Sequence, residues 1–194
     1  IVSVLGHVDH GKTLLLDHIR GTTVASREAG LITQHIGATE IPIDHILGIC
    51  SSLMQDKKFN VPGLLFIDTP GHHSFTTLRA RGGSLADLAV LVVDVTEGIK
   101  PQTLESISIL KRFKTPFVIA FNKLDLLHGW KSAPERPFVL SVKEQDESVV
   151  DELNNRLYEL IGELYDEGIS ANRYDKIDNF TKNVAIVPLS AKTG

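Results

Sequence analysis

The sequence has a single cysteine, Cys50, in 194 residues, so no disulfide can form within the chain and packing has to hold the fold. That usage suits a reducing compartment, and the expected location is cytoplasmic. Long hydrophobic runs are missing: the best, Leu88 to Val93, is cut off by Asp87 and Asp94, far short of the ~20 residues of a membrane span. No membrane partner is expected. A basic excess is missing too. Lys+Arg 20 against Asp+Glu 24 gives a net charge of −4, which excludes a domain that holds nucleic acid mainly by bulk phosphate neutralisation. There is no internal repeat and no low-complexity tract. What remains is an ordinary globular composition, 42% hydrophobic and 23% charged, at a length that hides roughly 70% of its unfolded surface. The chain starts without Met inside an apolar run and stops at Ser190-Ala191-Lys192-Thr193-Gly194. Residues 1–194 are therefore expected to form one domain cut from a longer, multidomain protein.

Five short apolar runs stand out: Ile1–Leu5, Leu64–Ile67, Leu88–Val93, Phe117–Phe121 and Val184–Val187. They are unbroken rather than alternating, which suits strands buried on both faces of a parallel sheet. Helix-length segments separate them. Lys12–Arg20 carries Leu15, Leu16 and Ile19; Pro101–Phe113 opens on a proline suited to a first helical turn and spaces Leu104, Ile107 and Leu110 helically. From Glu147 to Asp166 an apolar stripe runs through Val149, Val150, Leu153, Leu157, Leu160, Ile161 and Leu164, and Gly168 supplies a stop. Gly21 to Gly37 has little periodicity and reads as a loop, and Ile43 to Phe59 is expected to hold a short helix before a Val61-Pro62-Gly63 turn. Alternating strands and helices predict an α/β fold with a mainly parallel central sheet and helices on both faces.

Four motifs end predicted strands. Gly6-His7-Val8-Asp9-His10-Gly11-Lys12-Thr13 fits G-x-x-x-x-G-K-[ST] between a strand and a helix, where loop and helix N–H groups can point at phosphate oxygens. Lys12 adds a charge for the β- and γ-phosphates, and the Thr13 hydroxyl can ligate Mg²⁺. Asp68-Thr69-Pro70-Gly71-His72 places a carboxylate that can hold a Mg²⁺-bound water, and Gly71 can bring an N–H to a γ-phosphate. Asn122-Lys123-Leu124-Asp125 offers Asp125 as an acceptor for guanine N1–H and the 2-amino group, a donor pair adenine lacks, while Asn122 and Lys123 brace the loop and cover the base. Ser190-Ala191-Lys192 can add a backbone N–H to guanine O6. In this order the motifs read as a GTP- and GDP-binding domain with its ligand at the carboxyl ends of the strands.

These same residues resemble the translational GTPases, whose phosphate loop reads G-H-V-D-H-G-K-T, with D-x-P-G-H and N-K-x-D after it. Ile32-Thr33-Gln34-His35-Ile36-Gly37-Ala38 resembles the first switch of the initiation-factor branch, although Gly30-Leu31 departs from that branch's paired glycines. Lys100-Pro101-Gln102-Thr103 and His128-Gly129-Trp130 bring the archaeal and eukaryotic initiation factor five B nearest, with bacterial initiation factor two next. The resemblance implies that Thr33 closes on Mg²⁺ and the γ-phosphate, and that His72 positions the attacking water. It implies that Val8 and Ile32 screen that histidine and that His7 and His10 shape the phosphate loop. It also offers Asp9 as a ligand for a monovalent cation, Na⁺ or K⁺. The implied partner is the ribosome, especially large-subunit ribosomal RNA, with initiator tRNA bound through domains absent from this chain.

The leading expectation is a GTP hydrolase that times ribosomal subunit joining. The alternatives are the G domain of another translational GTPase, such as bacterial initiation factor two or an elongation factor, and a GTP-dependent binding module with incidental hydrolysis. A P-loop kinase or ATPase is disfavoured by Asp125 and by the lack of a recognisable acceptor site. Guanine selectivity should rest on Asp125, since rejecting a base that leaves a buried carboxylate unpaired is worth on the order of 10⁴. Asp125→Asn should weaken GTP binding and improve xanthosine triphosphate binding in competition titrations; equal ATP and GTP affinity in the parent would sink the assignment.

Overall fold

The computed structural model describes residues 1–25, 38–50, 60–68, 86–134 and 136–194. All five apolar runs are strands. Seven strands form one sheet: β1 Val2–Gly6, β2 Ala38–Pro42, β3 Gly63–Asp68, β4 Leu88–Asp94, β5 Phe117–Asn122, β6 Ala171–Arg173 and β7 Val184–Pro188, in the order β2-β3-β1-β4-β5-β7-β6. Every pairing is parallel except that of β2 with β3. The described helices are α1 Lys12–Ala25, α2 Ile43–Cys50, α3 Pro101–Phe113, α4 Phe138–Ser141 and α5 Glu147–Asp166.

Successive residues of one strand explain why the runs are unbroken. Leu5, Leu91, Val93, Ile119, Phe121 and Ile186 pack with Ile107 and Leu110 of α3 and Leu153, Leu157, Leu160 and Leu164 of α5. Their chain neighbours Val4, Val92 and Ala120 pack with Leu16 of α1 on the opposite face. Side chains alternate faces along a strand, so a sheet covered on both sides needs apolar residues at every position.

The helix boundaries expected at Pro101–Phe113 and Glu147–Asp166 are those observed. Pro101 occupies the first turn of α3. After α5, Gly168 takes φ +72 and donates its amide to the Tyr165 carbonyl at 2.8 Å, closing the helix.

Three features differ from the expectation. α1 does not end at Arg20 but continues through Gly21 to Ala25, so the first part of the expected loop is helical. One glycine in a helix costs only about 1 kcal/mol, and tertiary anchoring offsets that: Arg20 Nε donates to Thr39 Oγ1 of β2 at 2.6 Å. The rest of that loop, 26–37, lies outside the described residues. The other two differences are strands with no apolar run. β2 buries only Thr39 and Ile41, with Glu40 between them exposed, and β6 is three residues long at the other edge.

Topology sets where a site can form. From β1 the chain builds the β3 side of the sheet, then crosses to the β4 side, so β1 sits where the winding reverses. The register aligns the strand ends there, with Val4 opposite Asp68, Gly6 opposite Val92, and Asp94 opposite Asn122. Open α/β sheets bind ligands in this crevice. Among the described residues, no helix is long and apolar enough to cross a membrane.

Candidate functional site

The loop between β1 and α1 turns on two glycines. Gly6 has φ +140, and a Cβ there would lie 2.4 Å from the Val92 carbonyl oxygen; Gly11 has φ +93, and a Cβ there would lie 2.4 Å from Asn122 Nδ2. Both positions combine close approach with a backbone that disfavours side chains. Asp9 is also left-handed, at φ 67, and sits exposed at the loop tip. Lys12 Nζ reaches back across the loop to donate to the carbonyls of Gly6, at 2.8 Å, and His7, at 2.6 Å. Thr13 follows in the first turn of α1, whose leading amides have no intrahelical acceptors and carry the positive end of the helix dipole. This is a cradle for anionic oxygens. Val8 projects from it with 58% of its surface exposed, and its amide faces Gln102 Oε1 of α3 at 3.4 Å.

The base motif is tied to this loop by one side chain. Asn122, at the end of β5 and fully buried, donates from Nδ2 to the His10 carbonyl at 2.9 Å and accepts at Oδ1 from the Ala191 amide at 2.9 Å. Three of the four motifs therefore meet at one amide. Asp125 follows in a single 3₁₀ turn, Leu124–Leu126. Ser190 Oγ donates to Asp125 Oδ1 at 2.6 Å, which orients the carboxylate; Oδ2 has no hydrogen bond among the described residues. The Ser190–Lys192 segment carries one refinement. Ala191's amide is spent on Asn122, and Thr193's amide is spent on Ser190 Oγ at 3.1 Å.

Two buried groups reinforce the crevice. His10 is 0% exposed, packed edge-on against His7 with ring centroids 5.0 Å apart. Its Nδ1 lies 3.3 Å from the Asp94 amide and 3.4 Å from the Val92 carbonyl, so it accepts from one or donates to the other according to tautomer. Its Nε2 is buried without a hydrogen bond, 3.7 Å from Glu97 Oε2. Burial lowers its pKa, outweighing the Val92 carbonyl and the Asp94 charge, so the ring is neutral at neutral pH. A shaping role rather than a reactive one fits this.

The second group was not singled out as a site residue. Asp94, 1% exposed at the end of β4, pairs Oδ2 with Lys123 Nζ at 2.6 Å and accepts at Oδ1 from the Thr96 amide and hydroxyl at 2.8 and 2.7 Å. Burial pushes its pKa up, but the Lys123 and Thr96 hydrogen bonds together prevail and hold the carboxyl below its ordinary range. The available signal was Asp94-Val95-Thr96, an aspartate leaving a buried strand two residues before a hydroxyl.

Asp68 closes β3 beside β1, which puts its backbone next to the strand that leads into the phosphate loop. Ile32, Thr33, Gly71 and His72 lie outside the described residues. Among the described residues, no group of three or more His, Cys, Asp or Glu side chains could hold a metal ion.

Comparison with known proteins decides the family. A model of the elongation factor Tu GTP binding domain matches residues 1–194, the whole chain. The chain belongs to that family, the G domain of the translational GTPases. Among curated proteins it is 61% identical over 194 residues to a probable translation initiation factor IF-2 of Methanosarcina barkeri. It is 58% identical over 196 residues to the protein of that name from Thermococcus onnurineus. It covers 33% of each, so it spans about a third of the length of the curated relatives it matches. Among solved structures, GDP-bound aIF5B from Aeropyrum pernix superposes with a TM-score of 0.92 at 53% identity, covering 100% of this chain and 33% of that one. The apo form of elongation factor SelB from Methanococcus maripaludis gives 0.59 at 25% identity, covering 100% and 31%. The initiation-factor branch matches better than the elongation factor in fold and in sequence. As a G domain of this family it binds guanine nucleotides.

The depressed pKa of His10 makes a pH prediction. As pH falls through 6.5, the ordinary value, the unfolded chain takes up a proton that folded His10 refuses, so stability is lost on acidification. Urea unfolding at stepped pH should show the parent losing up to about 1.4 kcal/mol per pH unit more than His10→Asn just below that value. Parallel profiles would contradict it.

Proposed function

We propose that this chain is the G domain of a longer translation initiation factor that hydrolyses GTP to time ribosomal subunit joining. The observation that carries the reading is the identity of about 60% to probable initiation factors across the whole chain, with all four nucleotide motifs intact. Its partners are the ribosome, through large-subunit ribosomal RNA, and initiator tRNA, through domains beyond this one.

In this reading the β- and γ-phosphates sit in the loop from Asp9 to Thr13, where backbone amides and Lys12 meet their charge. His10 and Gly11 supply backbone there rather than reacting side chains. The donor set also fits Mg²⁺: Thr13 brings a hydroxyl in the first turn of α1, Asp68 brings a carboxylate residue at the end of β3, the strand paired with β1, and no all-protein cage is present among the described residues. Thr33 would complete that set when the first switch closes. Held by these residues, Mg²⁺ would supply positive charge to neutralise the phosphates. Asp9, at the exposed loop tip, would face a monovalent cation there. Asp125, oriented by Ser190, reads the guanine edge, and the Ser190–Lys192 segment offers a backbone amide to O6. Gly71 carries an N–H to the γ-phosphate as the second switch moves. His72 positions the attacking water, and Val8 with Ile32 screens it until a partner turns the histidine inward. Val8's exposed side chain is consistent with that screening position.

Phosphoryl transfer needs positioning and charge stabilisation, and small GTPases without a partner turn over at about 10⁻⁴ to 10⁻³ per second. The isolated domain should be comparably slow, and the intact factor should accelerate strongly on ribosomes. His72→Ala should leave GTP affinity within about twofold while removing most of the stimulated rate. Single-turnover hydrolysis with and without ribosomes decides between this reading and a binding module. A His72→Ala factor as fast as the parent would move the catalytic role elsewhere, and no stimulation at all would favour the module.

A further inference from the structure

The carboxylate of Asp94 belongs to none of the four nucleotide motifs, yet among the described residues it is the most deeply buried charge in the crevice. It sits at the carboxyl end of the central strand β4, between the phosphate loop on one side and the base loop on the other. A carboxylate 1% exposed is expensive unless its lone pairs are filled, and here both oxygens are engaged. Oδ1 is fixed by the Thr96 amide and hydroxyl, so the group cannot swing. Oδ2 is then aimed at Lys123 Nζ at 2.6 Å.

Lys123 needs that anchor. It has φ 70 and ψ 37, a left-handed backbone that a non-glycine residue adopts at a cost, in the turn that leads to Asp125. A free lysine there would sample many rotamers, whereas pinning Nζ to Asp94 confines the methylene stem to the span between that carboxylate and the turn that carries Asp125. Meanwhile the Asp94 amide faces His10 Nδ1 at 3.3 Å, so the backbone of the same residue touches the phosphate loop.

We propose that Asp94 is a positioning residue for base recognition, acting through Lys123 to hold the lysine stem as a fixed wall of the guanine pocket. This rests on the guanine-nucleotide reading of the site. Asp94 itself touches no nucleotide. Its substitution by Asn keeps the backbone amide that faces His10 and removes only the charge that holds Lys123, so the phosphate end is spared.

The test is calorimetric titration of the chain with GDP, ADP and inorganic tripolyphosphate, each with Mg²⁺, for the parent, Asp94→Asn, Lys123→Met and the double variant. Parent binding of GDP over ADP tests the guanine reading; without it that reading falls, and the proposal with it. Given that preference, Asp94→Asn should weaken GDP roughly tenfold, the loss expected for one charge-assisted hydrogen bond, while tripolyphosphate affinity stays within about twofold. In the Lys123→Met background Asp94→Asn should cost nothing further, because the two act as one unit. Unchanged GDP affinity in Asp94→Asn, an equal loss for tripolyphosphate, or losses that add in the double variant would each overturn the proposal. Should Asp94→Asn fail to fold in a thermal melt, Lys123→Met keeps the test: its GDP affinity must fall by the same roughly tenfold factor with tripolyphosphate unaffected, or the proposal fails.

Discussion

The site depends on one side-chain amide. Asn122 donates to the carbonyl of His10 and accepts from the amide of Ala191, so a residue of the base motif holds the phosphate loop with one atom and the last motif with another. A buried amide with both ends satisfied is rigid, because any movement leaves a polar group unpaired at a cost of about 1–3 kcal/mol. The glycine at position 11 follows from this contact. Any side chain there would collide with Asn122 Nδ2, and the loop would have to move off the strand that supports it.

That junction works only because the sheet beneath it is fixed. Apolar residues of β1, β4 and β5 are locked alternately into α3 and α5 on one face and α1 on the other, which brings the ends of the central strands into one line. Lys12 returning to the Gly6 and His7 carbonyls, and Ser190 orienting Asp125, are short local contacts added to that frame. The groups that would bind the two ends of a nucleotide are thus parts of one preorganised body, which lowers the ordering cost of binding.

Most of this architecture was legible in the residues. A strand buried on both faces has to be written as an unbroken apolar run, and a long helix on a sheet as a stripe, so β1, β3, β4, β5, β7, α3 and α5 could be read directly. β2 and β6 could not, because edge strands bury little: β2 spends only Thr39 and Ile41 on the core, and β6 is too short for a pattern. The extension of α1 to Ala25 was hidden because Arg20 is anchored by Thr39, a residue far along the chain that no local rule connects to it. In the site, residue types at fixed spacing announced Lys12, Thr13, Asn122 and Asp125. Asp94 stayed hidden because its partners, Lys123 and His10, come from two other loops, and only the fold brings them together.

The central claim is that the phosphate and base ends form one unit through Asn122, and it is most directly tested by a ligand that has no base. Asn122→Ala removes both hydrogen bonds while leaving Lys12, Thr13 and the loop sequence intact. If the two ends are one body, the binding of Mg²⁺-tripolyphosphate should weaken at least several-fold, in step with the loss of one to two hydrogen bonds that position the loop. Tripolyphosphate affinity equal to the parent's, with only GDP weakened, would contradict the account and make Asn122 a residue of the base pocket alone.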